Sequence, residues 1–244
     1  MNFSSEAELK DFIIEKGCFE PEENLKILGN TFVPAYRVFN RLSQYFNFNG
    51  KKVLDLGCGY GEFLINFDGS SLGIDVQDRL LEFASSLGMR VIRFNVEETL
   101  DLDEKYEVLF CRQLLDHLVA PHKLLVESHR LLQDEGYLIA SIDNIDCPLR
   151  RKIASEHLYG FNLKALKILI QRAGFNIIKL LTVTSNKPRV VEKIVNTIPS
   201  LLNLSVDIYV IAVKEPNYKY PEKRLPWFSP SWLTSELDGY SDQA

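Results

Sequence analysis

Apolar and polar positions fall into three regimes along the chain. Over the first fifty residues apolar side chains recur every three or four positions, which predicts helices. Ser5 and Glu8 have capping-box spacing ahead of a helix that Gly17 can end. Pro21 and Pro34 each suit the first turn of a further helix. In PAYRVFNRLSQYF, Ala35, Val38, Leu42, Tyr45 and Phe46 form an amphipathic stripe.

From residue 51 short apolar runs alternate with amphipathic segments. The runs predict strands at 52–56, 71–75, 90–94, 106–111, 137–142, 176–183 and 206–213. Helices are predicted between them, among them 120–132 and 163–173, the latter stopped by Gly174. The segment KPRVVEKIVNTIPSLLN, ahead of the last strand, predicts one or two more. Strand alternating with helix implies an α/β fold, a parallel sheet covered by helices on both faces. From Pro216 the pattern changes again: Pro216, Pro221, Pro226 and Pro230 interleave with Tyr218, Tyr220, Trp227, Phe228, Trp232 and Tyr240. That proline spacing forbids a long helix. Three parts are therefore expected: a helical cap (1–50), an α/β domain (51–215) and a Pro/aromatic arm (216–244).

Composition narrows the function classes. The 244 residues carry 28 Lys and Arg against 33 Asp and Glu, a net charge of −5. That argues against a broad basic surface for nucleic acid. The four cysteines, Cys18, Cys58, Cys111 and Cys147, are far apart, as free thiols of a reducing compartment would be. No His or Cys pair lies at zinc-ligand spacing, so no metal is expected. The N-terminus MNFSSEAELKDF is polar and acidic, unlike a signal peptide. No apolar run approaches the ~20 residues of a membrane span. A cytoplasmic location is the expectation.

The most informative stretch is VLDLGCGYGEFL, residues 53–64. A strand runs into Gly57, Gly59 and Gly61, where the backbone can turn sharply and approach a ligand without a Cβ in the way. A helix is expected next, its N-terminus offering N–H groups to a carboxylate or phosphate. The G-x-G-x-G spacing lacks the third glycine position of the dinucleotide fingerprint. Asp55 would repel a pyrophosphate but suits an ammonium group. Asp75, ending the next strand, can accept from both ribose hydroxyls. Two acids and this loop describe a nucleoside bearing an amino acid, which is S-adenosylmethionine.

On these residues the chain resembles class I S-adenosylmethionine-dependent methyltransferases of the small-molecule type, over roughly residues 50–185. The resemblance implies a seven-stranded, mostly parallel Rossmann-like sheet whose last strand is antiparallel. It implies that Asp55 lies near the methionyl amino group, with Gly57, Gly59 and Gly61 around the methionine moiety and Cys58 and Cys111 flanking the site as packing residues. It matches Asp75 to the ribose acid and Val76 to the apolar residue beside the adenine. In FNVEE, Asn95 stands where relatives usually have Asp, and its side-chain oxygen can accept from the adenine amino group. The Val96 N–H can reach a ring nitrogen. Asp116 and His117 stand where relatives have Glu-His. Glu135 precedes Gly136 where they often have two glycines, and HLYGFNLKALKILIQRAGF resembles their His followed by a helix ending in Ala-Gly-Phe.

Methyl transfer to a hydroxyl or amine needs a proton removed, and His117, just beyond the fourth strand, is the candidate base. Its alternative is a bond to a backbone carbonyl at a helix start. His157, at the same sheet edge, is a candidate for acceptor contact or for the base. His122 and His129 fall on the following helix as surface or packing residues. Arg37 could pair with the methionyl carboxylate or be a solvated residue, and Tyr36 lies beside it. The arm is expected to close part of the acceptor site or to make a homodimer contact, unless it is only a tail. The expected function is methylation of a small molecule at oxygen. Its rivals are a catalytically inactive S-adenosylmethionine-binding partner subunit and a nicotinamide-dependent oxidoreductase, which Asp55 and the glycine spacing disfavour.

Overall fold

The computed structural model describes residues 3–148, 157–184, 186–198, 201–202 and 205–219. Helix α1 (Glu6–Lys16) begins where Ser5 accepts from the Glu8 N–H, and Gly17 follows its end. The Glu8 carboxylate reaches back to Ser4 rather than to Ser5. Helix α2 (Pro21–Ile27) starts at Pro21, as expected. Pro34 lies in the first turn of a third helix, as expected, but that helix is not separate from α2. The chain runs from α2 through a π-helical turn (Leu28–Phe32) directly into α3 (Val33–Leu42). Val33 N–H reaches back five residues to Leu28 O. A proline ring clashes with the carbonyl four residues earlier in a regular helix; the wider turn just before Pro34 relieves that conflict. Because α3 ends at Leu42, Tyr45 lies beyond it and is exposed, while Phe39 takes the core position on the stripe.

The seven strands are β1 (Val53–Leu56), β2 (Leu72–Asp75), β3 (Val91–Arg93), β4 (Tyr106–Arg112), β5 (Leu132–Asp143), β6 (Phe175–Leu181) and β7 (Asp207–Lys214). They form one sheet in the order β3-β2-β1-β4-β5-β7-β6. β1 to β5 pair in parallel, and β7 runs antiparallel between β5 and β6. Helices α4 (Asp78–Ser86), α5 (Pro121–Leu131), α6 (Leu163–Arg172) and α7 (Arg189–Thr197) connect them. β5 starts five residues earlier than its apolar run, with a register shift against β4. Glu135 sits in this irregular stretch at φ +60°, the left-handed conformation that glycine adopts without strain.

The helix expected after the glycine loop is absent. Only turns and a single 3-10 turn (Leu64–Asn66) fill residues 61–71. The Asp68 side chain accepts from the Ser70 N–H and closes a turn there, so the chain returns to the sheet too soon for a helix.

One apolar cluster joins the sheet to α5 and α6. A second joins Ala35, Phe39, Leu42 and Phe48 to Val53, Phe63 and Phe110. A third packs α1 and α2 on Phe83 and Leu87 of the α4 region. Helix α3 therefore shares the core of the sheet, while α1 and α2 pack on the α4 side. No described helix is long and apolar enough to cross a membrane. The arm from residue 220 onward lies outside the described residues. Its described start is anchored: the Tyr218 ring lies 5.2 Å from that of His129, and its hydroxyl donates to Arg172 O.

Candidate active site

Strands β1 and β2 deliver the first group of residues. Gly57 N–H and Cys58 N–H both donate to Ile74 O, at 2.8 and 2.9 Å, which folds the loop back over the neighbouring strand. Gly57, Gly59 and Gly61 have φ of +68°, +55° and +79°. Gly59 N–H donates to Asp75 Oδ2 and Gln77 N–H to Oδ1, each at 3.0 Å. Asp75 thus braces the loop, and its half-exposed oxygens keep lone pairs for a ligand.

Asp55 is 4% exposed. Burial, then the neighbouring Glu62 and less so Asp75, push its carboxyl up to about 8, against the pull of Arg112. It is a buried acid that ionises readily only when a cation comes beside it. Glu62 is itself buried, pairs through Oε1 with Arg112, and has no donor to Oε2 among the described residues. The Arg112 guanidinium lies 4.8 Å from the centre of the Phe63 ring. Arg112 has no counterpart among the sequence expectations. A lone Arg at a strand end gives no signal until the fold shows its partner.

Cys58 and Cys111 are buried, and burial pushes both thiols up, so they stay protonated. Cys58 Sγ lies 2.8 Å from where a Cβ on Gly73 would sit, a packing role for the sulfur. Val76 is 49% exposed at the end of β2, and its carbonyl accepts from Arg93 Nε. Asn95 is exposed and its Oδ1 accepts from Glu97 N–H at 3.1 Å, so one lone pair is engaged within the loop. Val96 is buried in the sheet cluster. Phe94 N–H donates to Asp75 O, which brings this loop beside the end of β2.

At the end of β4, Gln113 adopts φ +48° while its N–H donates to Ser141 O, and the chain turns sharply. His117 N–H donates to Leu114 O. Asp116 is buried, and its carbonyl accepts from Leu158 N–H (2.8 Å) and Tyr159 N–H (3.2 Å). Tyr159 also donates its hydroxyl to Val119 O. These bonds pin the distant segment 157–159 to the β4 loop. His157 Nδ1 lies 3.1 Å from Asp116 Oδ2, and the rings of His117 and His157 meet edge to face at 4.6 Å. The two candidate histidines therefore stand together, with a buried carboxylate behind them.

His122 and His129 pack on α5, next to Arg172 O and Glu215 O respectively. Arg37 is exposed, as the solvated reading expects, and its guanidinium grips Glu6 at 2.6 and 2.9 Å, tying α3 to α1. Tyr36 donates to Phe3 O for the same end.

A cavity of about 640 Å³ opens between the π-turn and α3 on one side and the carboxyl edge of the sheet on the other. Thr31 and Val38 form one wall, and Glu62, Arg112, His157 and Asp207 the other. It is large enough for a small organic molecule.

A sheet of this order with one antiparallel strand, and a glycine loop set between two strand-end acids, defines the class I S-adenosylmethionine-dependent methyltransferase fold. Residues 30–180 match the methyltransferase domain family, to which the chain belongs. A ubiquinone biosynthesis O-methyltransferase of Glaesserella parasuis is 32% identical over 109 residues, covering 39% of this chain and 46% of that protein. A tRNA U34 carboxymethyltransferase of Campylobacter hominis is 28% identical over 136 residues, covering 52% and 48%. The chain thus spans about half the length of these curated relatives. An S-adenosylmethionine-dependent methyltransferase structure from Archaeoglobus fulgidus superposes with a TM-score of 0.58 at 20% identity, covering 78% of this chain and 99% of that one. At that identity the likeness is one of fold.

Proposed function

We propose that the protein transfers a methyl group from S-adenosylmethionine to an oxygen of a small-molecule acceptor held in the cavity beside α3. The observation that carries this is Asp55, a buried carboxyl kept neutral by its surroundings, next to a glycine loop braced by Asp75. The residues fit the cofactor: Asp55 receives the methionyl ammonium, and Gly57, Cys58, Gly59 and Gly61 pass their backbone around the methionine end. Asp75 accepts from the ribose, Val76, Asn95 and Val96 border the adenine, and Cys111 packs beneath. S-adenosylmethionine, when bound, supplies a methyl group on a sulfonium, open to displacement by a nucleophile in line with the S–CH₃ bond.

What the chain must then do is position the acceptor, exclude water and take a proton. The π-turn and α3 cover the cavity on one side. His117 and His157, backed by Asp116, take the proton of the acceptor hydroxyl as its oxygen bonds to carbon. A group able to receive a proton favours oxygen as the methylated atom, and the Glaesserella relative is named an O-methyltransferase. In this reading residues 1–50 are the cap, 51–215 the cofactor domain and 216–244 an arm that closes the acceptor site or joins two copies.

Incubating the protein with isotopically methyl-labelled cofactor and a cell extract, followed by mass spectrometry, tests the proposal. A labelled small molecule is the expected result. Cofactor binding without any labelled product, restored by a second protein, would replace it with a partner-subunit role. The expected cost of His117→Ala is ~10²–10⁴-fold in turnover, with cofactor affinity unchanged.

A further inference from the structure

We propose that Asp116, His117 and His157 form a binding site for a divalent transition-metal ion at the mouth of the acceptor cavity. Their ligand atoms all lie within 4.8 Å of one another. Ligands bound at ~2.0–2.1 Å sit roughly 3–4 Å apart around one ion, so small side-chain rotations bring all three into its shell. One pair already stands at such a spacing: His157 Nδ1 and Asp116 Oδ2 are 3.1 Å apart.

Asp116 supplies the independent observation. Its side chain is buried, and neither carboxylate oxygen has a hydrogen-bond partner among the described residues. The His157 ring nitrogen is close, but it is not aligned for a hydrogen bond to that oxygen. A buried carboxylate left without donors is costly. An ion between it and the two imidazoles would satisfy it. The backbone holds this arrangement in place, because Leu158 and Tyr159 N–H groups clamp onto the carbonyl of Asp116 itself. Separation along the chain hides the site: forty residues part His117 from His157, well beyond any local ligand spacing.

Two imidazoles and one carboxylate select a first-row ion such as Mn²⁺, Fe²⁺, Co²⁺ or Zn²⁺ over Mg²⁺ or Ca²⁺, and leave coordination positions open. His157 lines the acceptor cavity, so the open positions adjoin it. This part rests on the proposed methylation. With the ion bound, the two imidazoles hold it instead of acting as bases. An acceptor oxygen on the ion would lose its proton to solvent more easily, because the cation stabilises the oxyanion. Acceptors with two neighbouring oxygens, as in a catechol or an α-hydroxy acid, would chelate the ion and be favoured.

The test is titration of the untagged full chain with Co²⁺, read by visible absorbance and by calorimetry. One ion per chain is expected, and His117→Ala and Asp116→Asn should each weaken binding by ~100-fold or more. His117 is exposed, so its variant tests the site even if the Asp116 variant does not fold. His122→Ala should bind as the unaltered chain does. No binding at 1 mM Co²⁺, or binding that survives His117→Ala undiminished, would overturn the site. Methyl transfer is measured separately, with chelator and after adding Mn²⁺ or Zn²⁺. Transfer that persists in chelator would overturn the metal's role while leaving the methyltransferase reading intact. Absence of S-adenosylmethionine binding would instead overturn that reading, whatever the ion does.

Discussion

Asp143 and Asp207 stand directly opposite each other as the final register pair of β5 and β7, two carboxyls at one edge of the sheet. Burial and then the nearby Asp143 carboxyl push Asp207 up to about 6, with Lys187 and Arg112 pulling the other way. A carboxyl whose folded pKa exceeds its unfolded value adds stability that is full below pH ~4 and lost as pH rises through about 6. Asp207→Asn removes that loss. The variant should match the parent near pH 4 and exceed it at pH 7–8 by ~1–2 kcal/mol, or roughly 3–6 °C in Tm. Thermal melts across this range decide it; an equal difference at both ends would show that the Asp207 carboxyl is not pushed up in the folded protein.

Asp55 leads to a prediction about protons rather than stability. With its carboxyl pushed up to about 8, it is largely protonated at pH 7 in the free protein. A ligand ammonium placed beside it drives the proton off. Calorimetry of S-adenosylmethionine binding at pH 7, in buffers of different ionisation heat, should show release approaching one proton per site. Asp55→Asn should release none and bind at least ~10-fold more weakly.

Removal of the second acid should have a double effect. Asp75→Ala strips acceptors from the Gly59 and Gln77 N–H groups and, in the proposed cofactor pose, from the ribose. Cofactor affinity should fall by at least ~10-fold, since 1.4 kcal/mol is a decade and a charge-assisted bond contributes ~1.5–3 kcal/mol. A folded variant of unchanged affinity would remove Asp75 from the site.

Glu135 offers a stabilising change. A non-glycine residue at φ +60° is strained by ~1–2 kcal/mol, and glycine returns about half of that as chain entropy. Glu135→Gly, on an exposed side chain, should raise Tm by ~1–3 °C without touching activity.

The start of the arm can be separated from the rest of it. Truncation after Lys219 keeps Tyr218, its contact with His129 and its bond to Arg172 O, so Tm should hold. Truncation after Lys214 loses these and the Glu215 N–H bond to Gly174 O, and Tm should fall by several degrees. If the shorter cut also abolishes acceptor turnover while cofactor binding persists, the arm closes the acceptor site.

Much of this was legible in the sequence. Each predicted run holds a strand, and β1, β4 and β7, buried on both faces, write themselves as near-unbroken apolar runs, whereas the edge strands β3 and β6 keep exposed positions. The antiparallel last strand came from the family resemblance. The glycine loop and its two acids were legible since each residue type answers a local chemical need. What was not legible turns on neighbours in space. Pro34 does stand in the first turn of α3, but the π-turn that lets α2 run into it without a break has no sequence signal. Arg37 is solvated, as one of its two readings has it, but Glu6, thirty-one positions away, engages it in a surface pair that spacing does not show. Asp116 has a sequence neighbour, His117, but its second imidazole comes from across the fold, where spacing carries no signal.

The π-turn ahead of α3 has one further consequence. Such a turn holds one residue more than an α-helical turn, and the strands of the sheet do not depend on it. Residues 28–32 are therefore a place where the length of the chain can change by one without altering strand register. Asn30 and Thr31 lie there and line the cavity. Removing a residue, with Pro34 replaced so that the tighter turn is not blocked by its ring, would withdraw that wall from the cavity while the glycine loop stayed as it is. The fold thus carries an adjustable partition: the half of the pocket that would choose the acceptor can be resized independently of the half that would hold the methyl donor.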